Sequence, residues 1–261
     1  MNTAAIDFGI LWPALAAGML VTATHVPLGA QVLRRGIVFI DLAIAQIAGL
    51  GVIVAAWLGM EPQGWVTQVC ALAAALAGAL LLTWTEKHWP EVQEAIIGVS
   101  FVLAASGALL LVASNPHGGE YLTDLLVGQI LWVSPGRIAL VALAYAVLLG
   151  IWFVYGERLG RIGFYVLFAC TVTISVQLVG LYLVFTTLIL PALAMRRFVR
   201  HRLVIGYALS ASGYALGLVF STLSDLPSGP AVVWTMTVLA LAGSVVARLS
   251  RGSKRADNQA S

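Results

Sequence analysis

Apolar runs of roughly span length follow one another along this chain, broken by short polar intervals that hold most of its charges. A helix needs about 20 mostly apolar residues to cross the hydrocarbon core of a bilayer. On that measure the pattern predicts membrane helices near 8–33, 37–59, 65–84, 94–114, 137–155, 203–222 and 230–248. Two apolar stretches break the rule. Residues 121–133 are too short to cross, and residues 164–195 are too long for one span and too short for two, with Gly180 in the middle and Pro191 near the end. The first reads as a re-entrant helix and the second as two short helices meeting near Gly180. Such breaks are tolerated at membrane depth only where protein or a water-filled cavity covers the backbone. The expected fold is all-α, a polytopic transmembrane helix bundle of about seven full spans plus interrupted or re-entrant segments. One membrane domain over 1–250 is followed by a polar tail over 251–261.

Composition narrows the function classes. With 61% hydrophobic and 10% charged residues, the chain has too few charges to cover a soluble fold. A net charge of +3 says nothing for nucleic acid and becomes informative only when placed. Every Lys and Arg except Arg137 falls in intervals that alternate onto one face, from Arg34 and Arg35 to Arg255. The opposite loops carry Asp7, Glu61, Glu120, Asp124 and Asp225. Basic residues collect on the cytoplasmic side, so the N-terminus is expected outside and the C-terminus in the cytoplasm. Cys70 and Cys170 lie singly in apolar segments, which argues against disulfides or structural zinc.

Few polar side chains fall within the predicted spans. Asp41 sits inside the cytoplasmic end of the second helix, where an ionisable residue marks a pathway or is satisfied structurally by Arg34, Arg35 or the helix start. Gln46, five positions on, is about 140° round an ideal helix from Asp41. The two share a face only across a π-bulge, and Gln46 alone also reads as interhelical glue. His25, ahead of Pro27 in the first helix, is expected at comparable depth, since the two helices turn back at Arg34–Arg35. An imidazole, a carboxylate and an amide oxygen together would hold a divalent cation briefly. The bland alternative for His25 is a hydrogen bond across a proline kink. Gln177 lines a cavity or satisfies broken backbone beside Gly180. His88 and His201 read as solvated loop residues, and His117 as part of an outer turn. A serine–histidine–acid set, a P-loop and HExxH are all absent from the sequence, so no enzyme activity is expected.

At Arg34–Gly51 (RRGIVFIDLAIAQIAGLG) the chain resembles the permeases of the zinc/manganese family of ABC importers. Four further stretches agree in order: PLG at 27–29, EAIIGVSF at 94–101, LVGQILWVSP at 126–135 and LVGLYLVFTTLILPALAMRRF at 178–198. The resemblance implies a permease without cofactor or catalysis of its own, paired as a homodimer in a bacterial inner membrane. It would be served by a cytoplasmic ATPase and an external metal-binding protein, with zinc the first cargo and manganese or iron the next. Two positions depart from the pattern. The family has a histidine four residues after the aspartate, where this chain has Ala45, so a bulge bringing in Gln46, or His25 from the first helix, would have to compensate. The cytoplasmic stretch that meets the ATPase shrinks to 156–163, leaving Glu157, Arg158 and Arg161 as contacts. The alternative function is a self-sufficient secondary transporter of a cation or metal chelate.

Overall fold

A computed structural model of the chain describes residues 8–61, 64–112, 126–128, 130–155, 158–196 and 201–243. Among these there is no strand. The helices are α1 (Phe8–Arg35), α2 (Ile40–Trp57), α3 (Trp65–His88), α4 (Gln93–Val112), α5 (Pro135–Tyr155), α6 (Gly160–Val179), α7 (Leu181–Met195) and α8 (Arg202–Ser224), followed by α9 (Ser228–Gly243). Short 3-10 turns precede α4 and α5.

Among the described residues seven helices are long and apolar enough to cross a membrane, namely α1 to α6 and α8. Six of them match expected full spans, and α6 joins them. α6 runs for 20 residues, about 30 Å at 1.5 Å per residue, so it is a full span and not a short re-entrant arm. It begins at Gly160, ahead of the apolar run, and Arg161 in its first turn has its Nε 3.9 Å from Glu86 Oε1 on α3. Conversely α9, expected as a full span, is shorter within the described residues.

The break at Gly180 is where the sequence placed it. Gly180 has φ +87° and ψ 160°, a conformation open essentially to glycine alone. It packs on a second break, Gly128 (φ +71°). A Cβ on Gly180 would lie 2.5 Å from the Gly128 nitrogen, so the two interruptions meet backbone to backbone, not across a cavity. The described part of the expected re-entrant helix is likewise no continuous helix, because Gly128 interrupts it. Its first residues, 121–125, lie outside the described set.

Charge marks one end of the bundle. Arg35 at the end of α1 stands over the Phe164 ring near the start of α6, 4.1 Å from its centroid. With the Arg161–Glu86 pair, this brings the ends of α1 and α3 and the start of α6 together. Gln93 at the start of α4 donates to the Leu82 carbonyl and accepts from Thr85 Oγ1, both at 2.9 Å. Glu94 accepts from the Phe39 N–H ahead of α2 at 3.2 Å.

Two groups of helices share α6 and α7. α1 packs on α5, α6, α7 and α8, whereas α2 packs on α3, α4, α6 and α7. α1 and α2 touch each other slightly at most, although only four residues join them. In the second group small residues allow close approach: Gly51 lies against Ala71 and Ala74 of α3, and Gly78 lies under Ile47.

Candidate transport site

Asp41 falls in the first turn of α2, closer to the helix start than expected. It is fully buried, and neither carboxylate oxygen has a hydrogen-bond partner. A buried unpaired carboxylate is costly, and its position offers one favourable term, the partial positive charge of a helix N-terminus. α2 has no side-chain cap, and Glu94 from α4 takes the N–H of Phe39 instead. Glu94 thus fixes the entry of the chain into the turn that carries Asp41. Its role was not foreseen in the sequence, where the only signal is an acid at the mouth of an apolar run.

Gln46 lies deeper on the same helix. α2 is α-helical from Ile40 to Trp57 with no π-bulge, so Gln46 remains about 140° from Asp41. The bulge that would face them together is absent. Gln46 instead lines a cleft of about 250 Å³ between α2, α4 and the α6–α7 break, with Phe101, Ala105, Leu126, Val176 and Leu181. It is the single polar side chain among the described residues lining this cleft. Leu50, which rests over Gly107 of α4, is about 180° from Asp41, so the carboxylate points away from α4.

His25 belongs to another neighbourhood. It lies ten residues before the end of α1, about 15 Å into the helix, while Asp41 is one residue from the start of α2. With α1 and α2 barely in contact, the structure does not bring the imidazole to the carboxylate. His25 is fully buried, its Nδ1 lying 2.9 Å from Thr24 Oγ1 and 3.1 Å from the Val21 carbonyl, and its Nε2 has no partner. Around it runs a belt of buried hydroxyls that the sequence pattern did not reveal. Tyr145 of α5 bonds Ser175 of α6, and Thr187 of α7 bonds Tyr214 of α8 at 2.9 Å. Thr171, Ser175 and Thr187 each donate to a carbonyl one turn back in their own helix.

The remaining candidates divide. Gln177 is half-buried on α6 beside the break, while Gly180 and Pro191 are buried within the α6–α7 hairpin. Glu157 lies outside the described residues, Arg158 is exposed, and Arg161 is turned to Glu86. His88 is exposed, its Nδ1 2.8 Å from the Trp84 carbonyl. Among the described residues no three His, Cys, Asp or Glu side chains gather closely enough to hold a metal ion.

Comparison with known proteins agrees with this architecture. The chain is 24% identical over 248 residues to the high-affinity zinc uptake system membrane protein ZnuB of Haemophilus influenzae, covering 87% of this chain and 93% of that protein. Its fold superposes on a chain of PsaBC from Streptococcus pneumoniae, solved in complex with Fab, with a TM-score of 0.72 at 19% identity over 91% of both chains. It also superposes on a chain named for the metal-chelate type of ABC transporter, in an inward-facing conformation, with a TM-score of 0.65 at 15% identity over 90% of this chain and 83% of that one. The pattern described as the ABC 3 transport family matches residues 7–162 and 157–247. With nearly its whole length matched, the chain belongs to the ABC 3 transport family.

Proposed function

We propose that this chain is the membrane permease of an ATP-driven importer for a divalent metal ion, with zinc the first candidate and manganese and iron next. The observation that carries the reading is Asp41, a wholly buried carboxylate with both oxygens unpartnered, in a bundle of the ABC 3 transport family. A hard carboxylate ligand suits a divalent cation in passage, because one fixed ligand binds too weakly to trap it. Gln46 lines a separate cleft beside the α6–α7 break, on a different face of α2 from Asp41, so it is a pathway residue in this reading and not a second ligand beside the carboxylate. His25 is left out too, since its surroundings hold it elsewhere. A relay from Asp41 to His25, as a self-sufficient secondary transporter would need, lacks the required contact.

The chain has no nucleotide-binding motif, so ATP hydrolysis falls to a cytoplasmic partner, and cargo delivery to an external metal-binding protein. A second copy of the permease completes the assembly in a bacterial inner membrane. The basic end of the bundle faces the cytoplasm, which puts the N-terminus outside and the C-terminus inside. Arg158 is available to the ATPase, with Glu157 beside it in sequence, while Arg161 serves that surface through its pair with Glu86.

Uptake of radiolabelled zinc and manganese into cells carrying the permease with its ATPase tests the proposal. Uptake of one metal is expected, requiring the ATPase and lost in Asp41→Ala. Uptake that persists without the ATPase overturns the coupling, and full uptake by Asp41→Ala overturns the site.

A further inference from the structure

A second polar feature lies at the basic end, lined by neither Asp41 nor Gln46. Three arginines from different helices, Arg34 near the end of α1, Arg196 just beyond α7 and Arg202 at the start of α8, border one cleft of about 410 Å³. Ala30, Ala192 and Met195 form its floor. Ala192 and Met195 belong with Val26 to a small apolar cluster separate from the main core. Among the described residues none of the three guanidinium groups is ion-paired, and Arg34, Arg196 and Arg202 are all exposed. α8 begins at Arg202 with no side-chain cap, so its first backbone N–H groups add to the positive field.

Three unneutralised cations around an apolar floor, within a turn of the ends of membrane helices, fit a ligand that is anionic at one end and apolar at the other. We propose that this cleft is a binding site for an anionic phospholipid, its phosphodiester held by Arg34, Arg196 and Arg202 and its glycerol and upper acyl carbons resting on Ala30, Ala192 and Met195. Guanidinium groups pair with phosphate in a forked geometry, and basic pockets between membrane helices hold anionic headgroups in this way. An acidic protein segment would match the charge but leave the apolar floor without a counterpart. The site is independent of the cargo.

The purified full chain in detergent, titrated with phosphatidylglycerol or phosphatidylcholine and read by native mass spectrometry, tests this. Phosphatidylglycerol is expected to bind in preference. Arg34→Gln, Arg196→Gln and Arg202→Gln should each weaken it about fivefold, the equivalent of roughly 1 kcal/mol per basic residue near an anionic surface. The triple variant should lose the preference, whereas Arg137→Gln, outside the cleft, should keep it. Equal binding of both lipids, or a triple variant that keeps the preference, overturns the proposal. Inorganic phosphate displacing phosphatidylglycerol at millimolar concentration would assign the cleft to a free anion instead. Loss of ATPase co-purification from a triple variant that still prefers phosphatidylglycerol would make it a protein-docking surface.

Discussion

The helices around α1 and those around α2 differ in how their buried polar groups are held. In the α1 group, hydroxyls of Thr171, Ser175 and Thr187 return to carbonyls of their own helices, and two tyrosines bridge neighbours. His25 sits among them with one ring nitrogen held. In the α2 group the contacts with α3 are small and apolar, and the buried acid stands without a partner. Hydrogen bonds between membrane helices contribute roughly 0.6–2 kcal/mol each, so the first arrangement secures a framework. An unsatisfied carboxylate destabilises its surroundings, and the use we propose for it is the passage of a cation. The two groups meet at α6 and α7, which touch both.

That junction offers the largest effect. Gly180→Ala forces a side chain into a glycine-only conformation, costing about 1–3 kcal/mol, and drives its Cβ to 2.5 Å from Gly128 backbone. The expected outcome is loss of monodisperse protein on size-exclusion chromatography, with α1 and α2 groups failing together. Normal yield with a melting temperature like that of the parent would mean the groups do not depend on a shared hinge.

Next come the two buried ionisable residues, whose variants should part company. Asp41→Asn removes the charge at constant shape, and its melting temperature should equal or exceed that of the parent, because an unpaired buried charge is gone. Metal uptake should nevertheless fall on the order of tenfold or more, since about 1.4 kcal/mol of lost ion contact already amounts to that. His25→Ala should do the reverse. It opens a cavity and removes a hydrogen bond, for about 1–3 kcal/mol of stability, while uptake per folded molecule stays within about twofold. A His25→Ala protein as stable as the parent but dead in uptake would return the imidazole to the metal path and erase the distinction between the groups.

These contrasts were only partly legible in the sequence. Apolar run length located most spans, because a 20-residue requirement is set by bilayer thickness and owes nothing to tertiary contacts. Gly180 was legible for a similar reason: a glycine and a nearby proline inside an overlong apolar run have few other uses. The extent of α6 was not, since an apolar run does not say whether the Arg161 before it joins the helix, and its neighbour Glu86 lies 75 positions away. Side-chain facing failed in the same manner. Asp41, Gln46 and His25 looked like one constellation when chain order stood in for proximity, but α6 and α7 pack with both of the helices that carry them. The hydroxyl belt was invisible because serine, threonine and tyrosine in an apolar run carry no periodic signal.

The smallest effect tests the α1 framework alone. Pro27 sits inside α1 and has no N–H to give the carbonyl four residues back, which is that of Ala23. Tyr207 of α8 reaches this orphaned carbonyl, its hydroxyl donating at 3.3 Å. The kink is thus compensated from a neighbouring helix, as lipid-facing backbone could not be. Tyr207→Phe keeps the ring and removes only the donor, so a loss of about 0.6–1 kcal/mol is expected. Thermal unfolding in detergent should register it as a lowering of a few degrees, by the scaling for chains of this size, with uptake per folded molecule unchanged. No change in stability would mean that another group or a water serves the Ala23 carbonyl. A drop in uptake without a drop in stability would mean that the Pro27 kink moves during transport, which would give the α1 group a part in the cycle beyond holding the bundle together.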